Sequence, residues 1–404
     1  MAKIASLFKG QGPLEIILWS AVTGCLLFSL ISISAVQICL GLAIIVWAVL
    51  LILGKRRLEL PSFAWPLAVY IVLSLIASAL SRDPATSFID SRDLLLALAV
   101  PVAMSAFCSS LSLRVGLWAL LASAAASSGY SLVYYVLHAA PGLRVQGFMG
   151  HYMTQAGLLI LFVSLALATL FFGPKKTRWL WGAGAVAALA ALELTLTRSA
   201  WIGLAVALCV LVYLYKPIFA LAVPVIIVIV FFASPAPVKQ RALSIFTLHG
   251  FSNRIRVEYI QAGLKIIRDY PLFGTGPDTV DMVFQNPKYG LSEDAKHNVH
   301  LHNTPVQIAA ERGIPALLAW LAFIVWTFLE LAKLAWVRGK GKERAGGRDP
   351  VVTPLAAAAL AGLAAFVVSG LFEYNFGDSE VLVLFLFLIT VPFAARRGDL
   401  TPSK

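Results

Sequence analysis

"WIGLAVALCVLVYLYKPIFALAVPVIIVIVFFA", residues 201–233, carries a single charge, Lys216. A helix crosses hydrocarbon with about 20 apolar residues, so the stretch reads as two spans, 199–215 and 217–233, meeting at Lys216-Pro217. Comparable runs lie at about 14–32, 34–53, 62–80, 94–112, 114–136, 152–172, 178–196, 313–334, 351–372 and 380–395. Composition agrees: 60% of the residues are hydrophobic and 13% charged, with a mean hydropathy of +0.85. A soluble domain has roughly half apolar and about a quarter charged residues. The expected fold is an all-α polytopic membrane protein of about twelve transmembrane helices. Residues 1–233 carry nine spans, 234–312 form one long loop, and 313–404 carry three more. The first run reads as a retained span, being long and without a clear small-residue cleavage site.

Lysine and arginine set the orientation. Lys3 and Lys9, residues 55–57, Lys175, Lys176 and Arg178, the stretch 333–348, and Arg396-Arg397 share one side if twelve spans alternate. That side is read as cytoplasmic and holds both termini, which leaves 234–312 on the outer face. The net charge of +12 is mostly this bias. With no basic stripe carrying interleaved aromatics, no nucleic-acid partner is expected. Cys25, Cys39, Cys108 and Cys209 all lie in apolar runs and read as small buried hydrophobes, not as disulfide partners.

The unusual residues collect on the outer side. All six histidines, His138, His151, His249, His297, His300 and His302, map to outer loops or helix ends. In "KHNVHLH" (296–302) three readings stay open: a metal site with Glu293 and Asp294, plain interfacial histidines, or one general base. Asn303 and Glu311 are placed to order the ring or its substrate. Outer arginines oppose the positive-inside bias. Arg198, in "LTLTRSAWIGLAV", reads either as a snorkelling cation or as one turned inward toward an anion. Helical phase over 252–269 puts Arg254, Glu258, Gln261, Lys265 and Arg268 on one solvated arc, with Ser252 or Asn253 as N-cap. Arg256 falls opposite, among Ile260, Gly263 and Ile267, where a guanidinium needs a partner or an anionic ligand. Arg144 and His151, Arg82 and Arg92, and Glu373, Asp378 and Glu380 are further outer groups that could complete a cavity.

Three segments carry a family resemblance. "HNTPVQIAAERGIPALLAW" (302–320) resembles the signature of the O-antigen ligase/polymerase membrane superfamily, a His-Asn pair before a helix running Glu-x-Gly. "YIQAGLKIIRDYPLFGTG" (259–276) resembles the segment that precedes it there, and "LTLTRSAWIGL" (194–204) the family's arginine-bearing start of a span. The resemblance implies a GT-C-like glycosyltransferase in the bacterial inner membrane with its site facing the periplasm. It implies inverting, metal-independent transfer without a cofactor, from a glycan on undecaprenyl diphosphate to a sugar hydroxyl of lipid A–core. Carried over by position, His302, Arg256 and Arg198 are the catalytic residues. Apart from the resemblance, Arg144, Arg254, Asn303, His300 and His151 are read from their outer positions as substrate-binding, with Arg254 mattering less than Arg256. Ala316 departs from the Gly, Thr or Tyr expected there, which bears on ligase against polymerase. The alternatives are a polymerase or another lipid-linked glycan ligase, and a transporter of anionic lipid-linked sugars. Membrane lipid is a partner, and a monomer is expected.

Overall fold

The computed structural model describes residues 12–107, 109–138, 140, 142–234, 236–245, 250–336 and 351–397. Lys3, Lys9, Cys108, His249 and the basic stretch 337–350 lie outside the described residues. Helical segments underlie all twelve apolar runs. They begin with α1 (Pro13–Phe28), α2 (Ile33–Ile52) and α3 (Ala64–Ala79). After α4 (Pro84–Asp90), a 3-10 segment (Ser91–Leu98) and α5 (Ala99–Ala106) lead to α6 (Ser110–His138), α7 (Tyr152–Phe172), α8 (Arg178–Leu194) and α9 (Arg198–Tyr215). A 3-10 turn (Pro217–Leu221) enters α10 (Ala222–Ala233). Then come α11 (Ala236–Leu243), α12 (Phe251–Asp269), α13 (Glu293–Lys296), α14 (Thr304–Trp336), α15 (Val352–Gly370) and α16 (Ser379–Arg397). Seven of these, α2, α6, α7, α9, α14, α15 and α16, are long and apolar enough to cross a membrane; α1, α3 and 217–233 are shorter apolar helices. This is a multi-pass membrane chain by length and composition.

Two boundaries differ from the sequence reading. The run 94–112 is not one helix. Pro101 cannot donate a backbone hydrogen bond and stands just past the switch from 3-10 to α geometry, and the chain breaks again at Phe107. Helix α6 then restarts on a serine pair, Ser112 N donating to Ser109 Oγ (3.0 Å) and Ser109 N to Ser112 Oγ (3.2 Å), a reciprocal cap.

Helix α14 begins at Thr304, nine residues before the expected span. Asn303 caps it, its Oδ1 accepting from Val306 N (3.0 Å). The helix then breaks at Gly313 (φ 82°, ψ 169°). Pro315 has no N–H for the Glu311 carbonyl, and Ile314 N turns away from Ala310. The "PLFGTG" turn (271–276) supplies what is missing. Thr275 N donates to Ala310 O (2.9 Å), Gly276 N to Glu311 O (2.9 Å), and Ile314 N to Pro271 O (2.8 Å). A Cβ on Gly274 would meet the Glu311 backbone at 2.2 Å, and one on Gly313 the Leu272 carbonyl at 2.0 Å. Backbone touches backbone here, so both glycines are sterically required.

Helices α7, α15 and α16 form the centre, with 72, 83 and 78% of their apolar windows buried against 33% for α2 and α9. Small residues allow close approach: a Cβ on Gly203 of α9 would lie 2.7 Å from the Ala365 carbonyl of α15. Cys25 is buried, Cys39 half-buried and Cys209 exposed. The last corrects the sequence reading, because the buried face of α9 runs through Ala200, Gly203, Ala207 and Leu211. The 250–303 segment has a core of its own, in which Ile255, Tyr259, Ala262 and Ile266 of α12 pack against Val280, Phe284, Leu291 and Leu301.

Candidate active site

Helix α8 ends at Leu194, and the chain reverses into α9 through Thr195–Thr197, with Leu196 at φ 52°. The turn leaves carbonyls without helical donors, and two arginines take them. Arg144 donates from Nε to Thr195 O (2.9 Å) and from Nη2 to Leu196 O (3.3 Å). Arg241 of α11 donates from Nε to Leu196 O (3.2 Å). The Arg144 guanidinium lies over the Tyr152 ring, 3.3 Å from its centre. Burial, set against the pull of Tyr152 and reinforced by Arg241 and Arg256, draws the Arg144 side chain down to about 10.

Arg198 is only 9% exposed, so it is turned inward and does not snorkel. Its Nη1 donates to Ser244 O (2.7 Å) and Oγ (3.1 Å), and its Nη2 to Ser252 Oγ (3.3 Å) and Asn253 Oδ1 (2.8 Å). This explains why neither Ser252 nor Asn253 caps α12: the helix starts at Phe251 on Gly250 without a side-chain cap. Both side chains are used on Arg198 instead.

The buried stripe of α12 is Ile255, Tyr259, Ala262 and Ile266; of the expected Ile260–Gly263–Ile267 line, Gly263 is buried and Ile267 packs against the same core, while Ile260 is 38% exposed. Arg256 flanks this stripe. Its Nε donates to Phe372 O (3.2 Å) and its Nη1 to Ser252 Oγ (2.8 Å). Burial holds it below the usual arginine value, against the attraction of Glu373. Arg254 points outward, 3.7 Å from both Glu258 and Asp294 and 56% exposed. The expected solvated arc is only partly solvated, since Glu258 accepts from Ser292 N (3.1 Å) and Oγ (2.6 Å).

These elements enclose a cavity of about 280 Å³ lined by Arg144, Arg198, Arg241 and Arg256, with Tyr152, Ser252 and Phe372 among the other walls and no carboxylate among the described residues of its lining. Beside it runs the 371–378 loop, whose Phe372 carbonyl takes Arg256 and whose next residue takes His302. His302 Nδ1 and Glu373 Oε1 are 3.0 Å apart. The histidine sits at φ 49°, a conformation uncommon outside glycine that marks an over-determined site. Glu373 is itself anchored, its carbonyl accepting from Thr304 Oγ1 (2.9 Å) and its Oε1 from Tyr374 N (3.3 Å). Burial raises its carboxyl, but the hydrogen bond to His302 and the charges of His302 and Arg256 prevail and hold it below the ordinary value. With Nδ1 turned to a carboxylate, the Nε2 of His302 is the nitrogen left to exchange a proton.

The other histidines do not join this pair. His297 is exposed at the end of α13. His300 packs edge-on to Tyr374 (5.2 Å) with Nδ1 buried and unpartnered, and burial lowers its pKa. His151 lies before α7, its Nδ1 3.4 Å from Thr154 Oγ1. Among the described residues no group of three His, Cys, Asp or Glu gathers as a metal site. Asn303 ties the start of α14 to the loop by donating to Leu371 O (2.8 Å). Glu311 does not order the histidine. It pairs with Arg312 (2.7 Å), which also reaches Asp90 (2.7 Å) and the Tyr374 hydroxyl (3.2 Å). Arg82 donates to the Tyr270 hydroxyl and Arg92 to Ile89 O.

The turn bearing Arg198, α11 with Arg241, α12, the PLFGTG turn, His302 and the Gly313 break fall together in one comparison with known families. Residues 183–321 match the family model described as O-antigen ligase. That stretch is similar to an O-antigen ligase domain. The match spans about a third of the chain, and no curated protein matches it. Arg144 and Glu373 lie outside the matched residues yet meet the domain's own arginines and histidine. One site residue escaped the sequence reading. Arg241, like Arg198, falls on the side that the Lys/Arg bias reads as outer, and that signal could have found it. Glu373 was read as one of three acids that could complete a cavity, but nothing local in sequence joins it to a histidine 71 residues away.

Proposed function

We propose that this protein is a member of the O-antigen ligase family and transfers a glycan from undecaprenyl diphosphate to a sugar hydroxyl of lipid A–core at the periplasmic face of the bacterial inner membrane. One juxtaposition carries the reading: a cavity with four arginines has Phe372 in its wall, and the next residue, Glu373, forms the histidine–carboxylate pair. In the reaction, the Nε2 of His302 takes the proton of the acceptor hydroxyl. The hydroxyl oxygen bonds to the anomeric carbon from the side opposite the leaving group, and the bond from that carbon to the diphosphate oxygen breaks with its electron pair. Negative charge grows on the diphosphate as the bond breaks. Arginine forks match phosphate oxygens in geometry and supply charge-assisted hydrogen bonds there. Glu373 keeps the Nδ1–H tautomer of His302 and stabilises the imidazolium once it forms, a role with precedent in hydrolytic triads.

Polymerisation of the same donor is the second reading, favoured by Ala316 at the signature position where Gly, Thr or Tyr is expected. The test is reconstitution with lipid-linked donor and lipid A–core in EDTA. Ligated lipid A–core supports the proposal. Donor chains that lengthen while lipid A–core stays unmodified indicate the polymerase, and no product from either substrate overturns both.

A further inference from the structure

A second cavity, of about 370 Å³, lies at the far end of α16 from the 371–378 loop and is lined by Lys55, Arg56, Arg57, Arg397, Glu59 and Phe107 among others. Nineteen residues of α16 separate the two ends, about 28 Å at ~1.5 Å per residue. The reaction proposed above makes no use of it. Basic residues at this level are ordinary topological charge when they stand in solvent. Here they wall a concavity of small-molecule size. Its floor includes Phe107, Met104 and Ser105, all nearly inaccessible, and the Ser105 Oγ accepts from Trp47 Nε1 (3.0 Å).

The charge balance favours an anion. Among the described residues the lining has four cations against one carboxylate, Glu59, which pairs with Arg397. Helices α2, α5 and α16 end here, each bringing roughly half a negative charge at its C-terminus. Together they offset about half of the excess, so a positive field remains. The neighbouring residues indicate the class of ligand. Ile52, Leu53, Leu58 and Leu60 adjoin the lining residues 54–57 and 59 in sequence and are 85, 55, 59 and 49% exposed. A cationic recess whose lining residues alternate in the chain with exposed aliphatic side chains suits a molecule with a phosphate head and acyl chains, where a soluble phosphate would need no apolar neighbours. Basic pockets between membrane helices bind anionic headgroups in this way.

We propose that this cavity is a binding site for the phosphate headgroup of an anionic phospholipid, separate from the four-arginine site. The inference does not depend on which glycan the protein transfers. The test uses the full chain in phosphatidylcholine nanodiscs with and without phosphatidylglycerol, scored by retained lipid in native mass spectrometry and by the thermal midpoint. The wild type is expected to retain phosphatidylglycerol and to melt higher with it. The K55Q/R56Q/R57Q variant should lose roughly fivefold in retention per charge removed, while its midpoint in pure phosphatidylcholine stays unchanged. If that variant does not fold, R57Q alone, at an exposed residue, should lose about fivefold. Unchanged retention in these variants overturns the site. So does loss of retention in R144A/R256A instead, or equal stabilisation by inorganic phosphate in phosphatidylcholine, which would make it a soluble-anion site.

Discussion

Replacing Glu373 with glutamine tests whether the histidine–carboxylate pair does chemistry or merely holds the loop. Glutamine keeps the shape and can still accept from Tyr374 N, and the anchoring of the backbone carbonyl by Thr304 is untouched. What is lost is a charge 3.0 Å from His302 Nδ1. A hydrogen bond to a charged group contributes about 1.5–3 kcal/mol, which predicts a fall in kcat of roughly 10- to 100-fold. A further loss follows if the amide presents its NH₂ and selects the wrong tautomer. The same change removes the negative charge that attracts Arg256, so the four-arginine cavity becomes more positive. Donor affinity should therefore stay the same or tighten. The assay is single-turnover ligation with reconstituted protein, paired with donor binding measured in the absence of acceptor. A structural role would lower both together. Wild-type kcat, or weakened donor binding with kcat preserved, would refute the pairing as the source of the base. Beside it, His302→Ala should abolish transfer while donor binding survives, and His300→Ala should not abolish it.

Arg198→Ala, Arg241→Ala and Arg256→Ala should each weaken transfer and donor binding by roughly 10- to 100-fold, at about 1.5–3 kcal/mol per charge-assisted contact. Arg254→Ala should stay near wild type, and Arg256→Lys should remain impaired because the planar fork is lost; donor titrations at matched expression decide this. Gly313→Ala should cost more than the ~1–2 kcal/mol of a left-handed alanine, because its Cβ would also overlap the Leu272 carbonyl, and a thermal midpoint indistinguishable from wild type would contradict the clamp. Asp378 is raised to about 7, chiefly by burial and then by Glu373 and Glu380, whereas an unfolded aspartate titrates near ~3.9. Between those values the folded state holds a proton that the unfolded state has lost, so this group makes the wild type less stable as pH rises from ~4 to ~7. Asp378→Asn should accordingly melt higher than the wild type at pH 8 and the same at or below pH 4, read by thermal scans at both.

Hydropathy alone places helical segments under the apolar runs, because a helix in hydrocarbon must satisfy its own backbone and reveals itself by composition. The interruptions are less legible. The break at Gly313 needs Pro315 and the distant Gly274-Thr275-Gly276 read together, since each only makes sense as the other's hydrogen-bond partner. The phase of α12 is only partly legible for a related reason. Apart from the exposed Val257 and Leu264, its apolar positions include 255, 259–260, 262–263 and 266–267, an arc wide enough to be buried on either edge. The choice is made by Phe284, Leu291 and Leu301 arriving from later in the chain. Arg256 is picked out even so, because at the border of that stripe it remains the cation that solvent cannot fully serve.

The same geometry explains why the site's parts are spread so widely along the chain. The PLFGTG turn is fixed to α14 by the hydrogen bonds that the Gly313 break leaves open, and α12 ends one residue before that turn. The clamp therefore sets the axial position of α12, and with it where Arg256 and Ser252 stand. Nine residues earlier on the same α14, Asn303 and Thr304 hold Leu371 and Glu373, which sets where the carboxylate meets His302. Arg312, beside the break, holds the Tyr374 hydroxyl, so the 371–378 loop is gripped from two turns of one helix. Arginine cavity and histidine pair are thus both referenced to α14. A chain that needs charges at the end of a membrane bundle must keep them apart from lipid and at fixed distances from one another. Here a single broken helix serves as the common ruler for both.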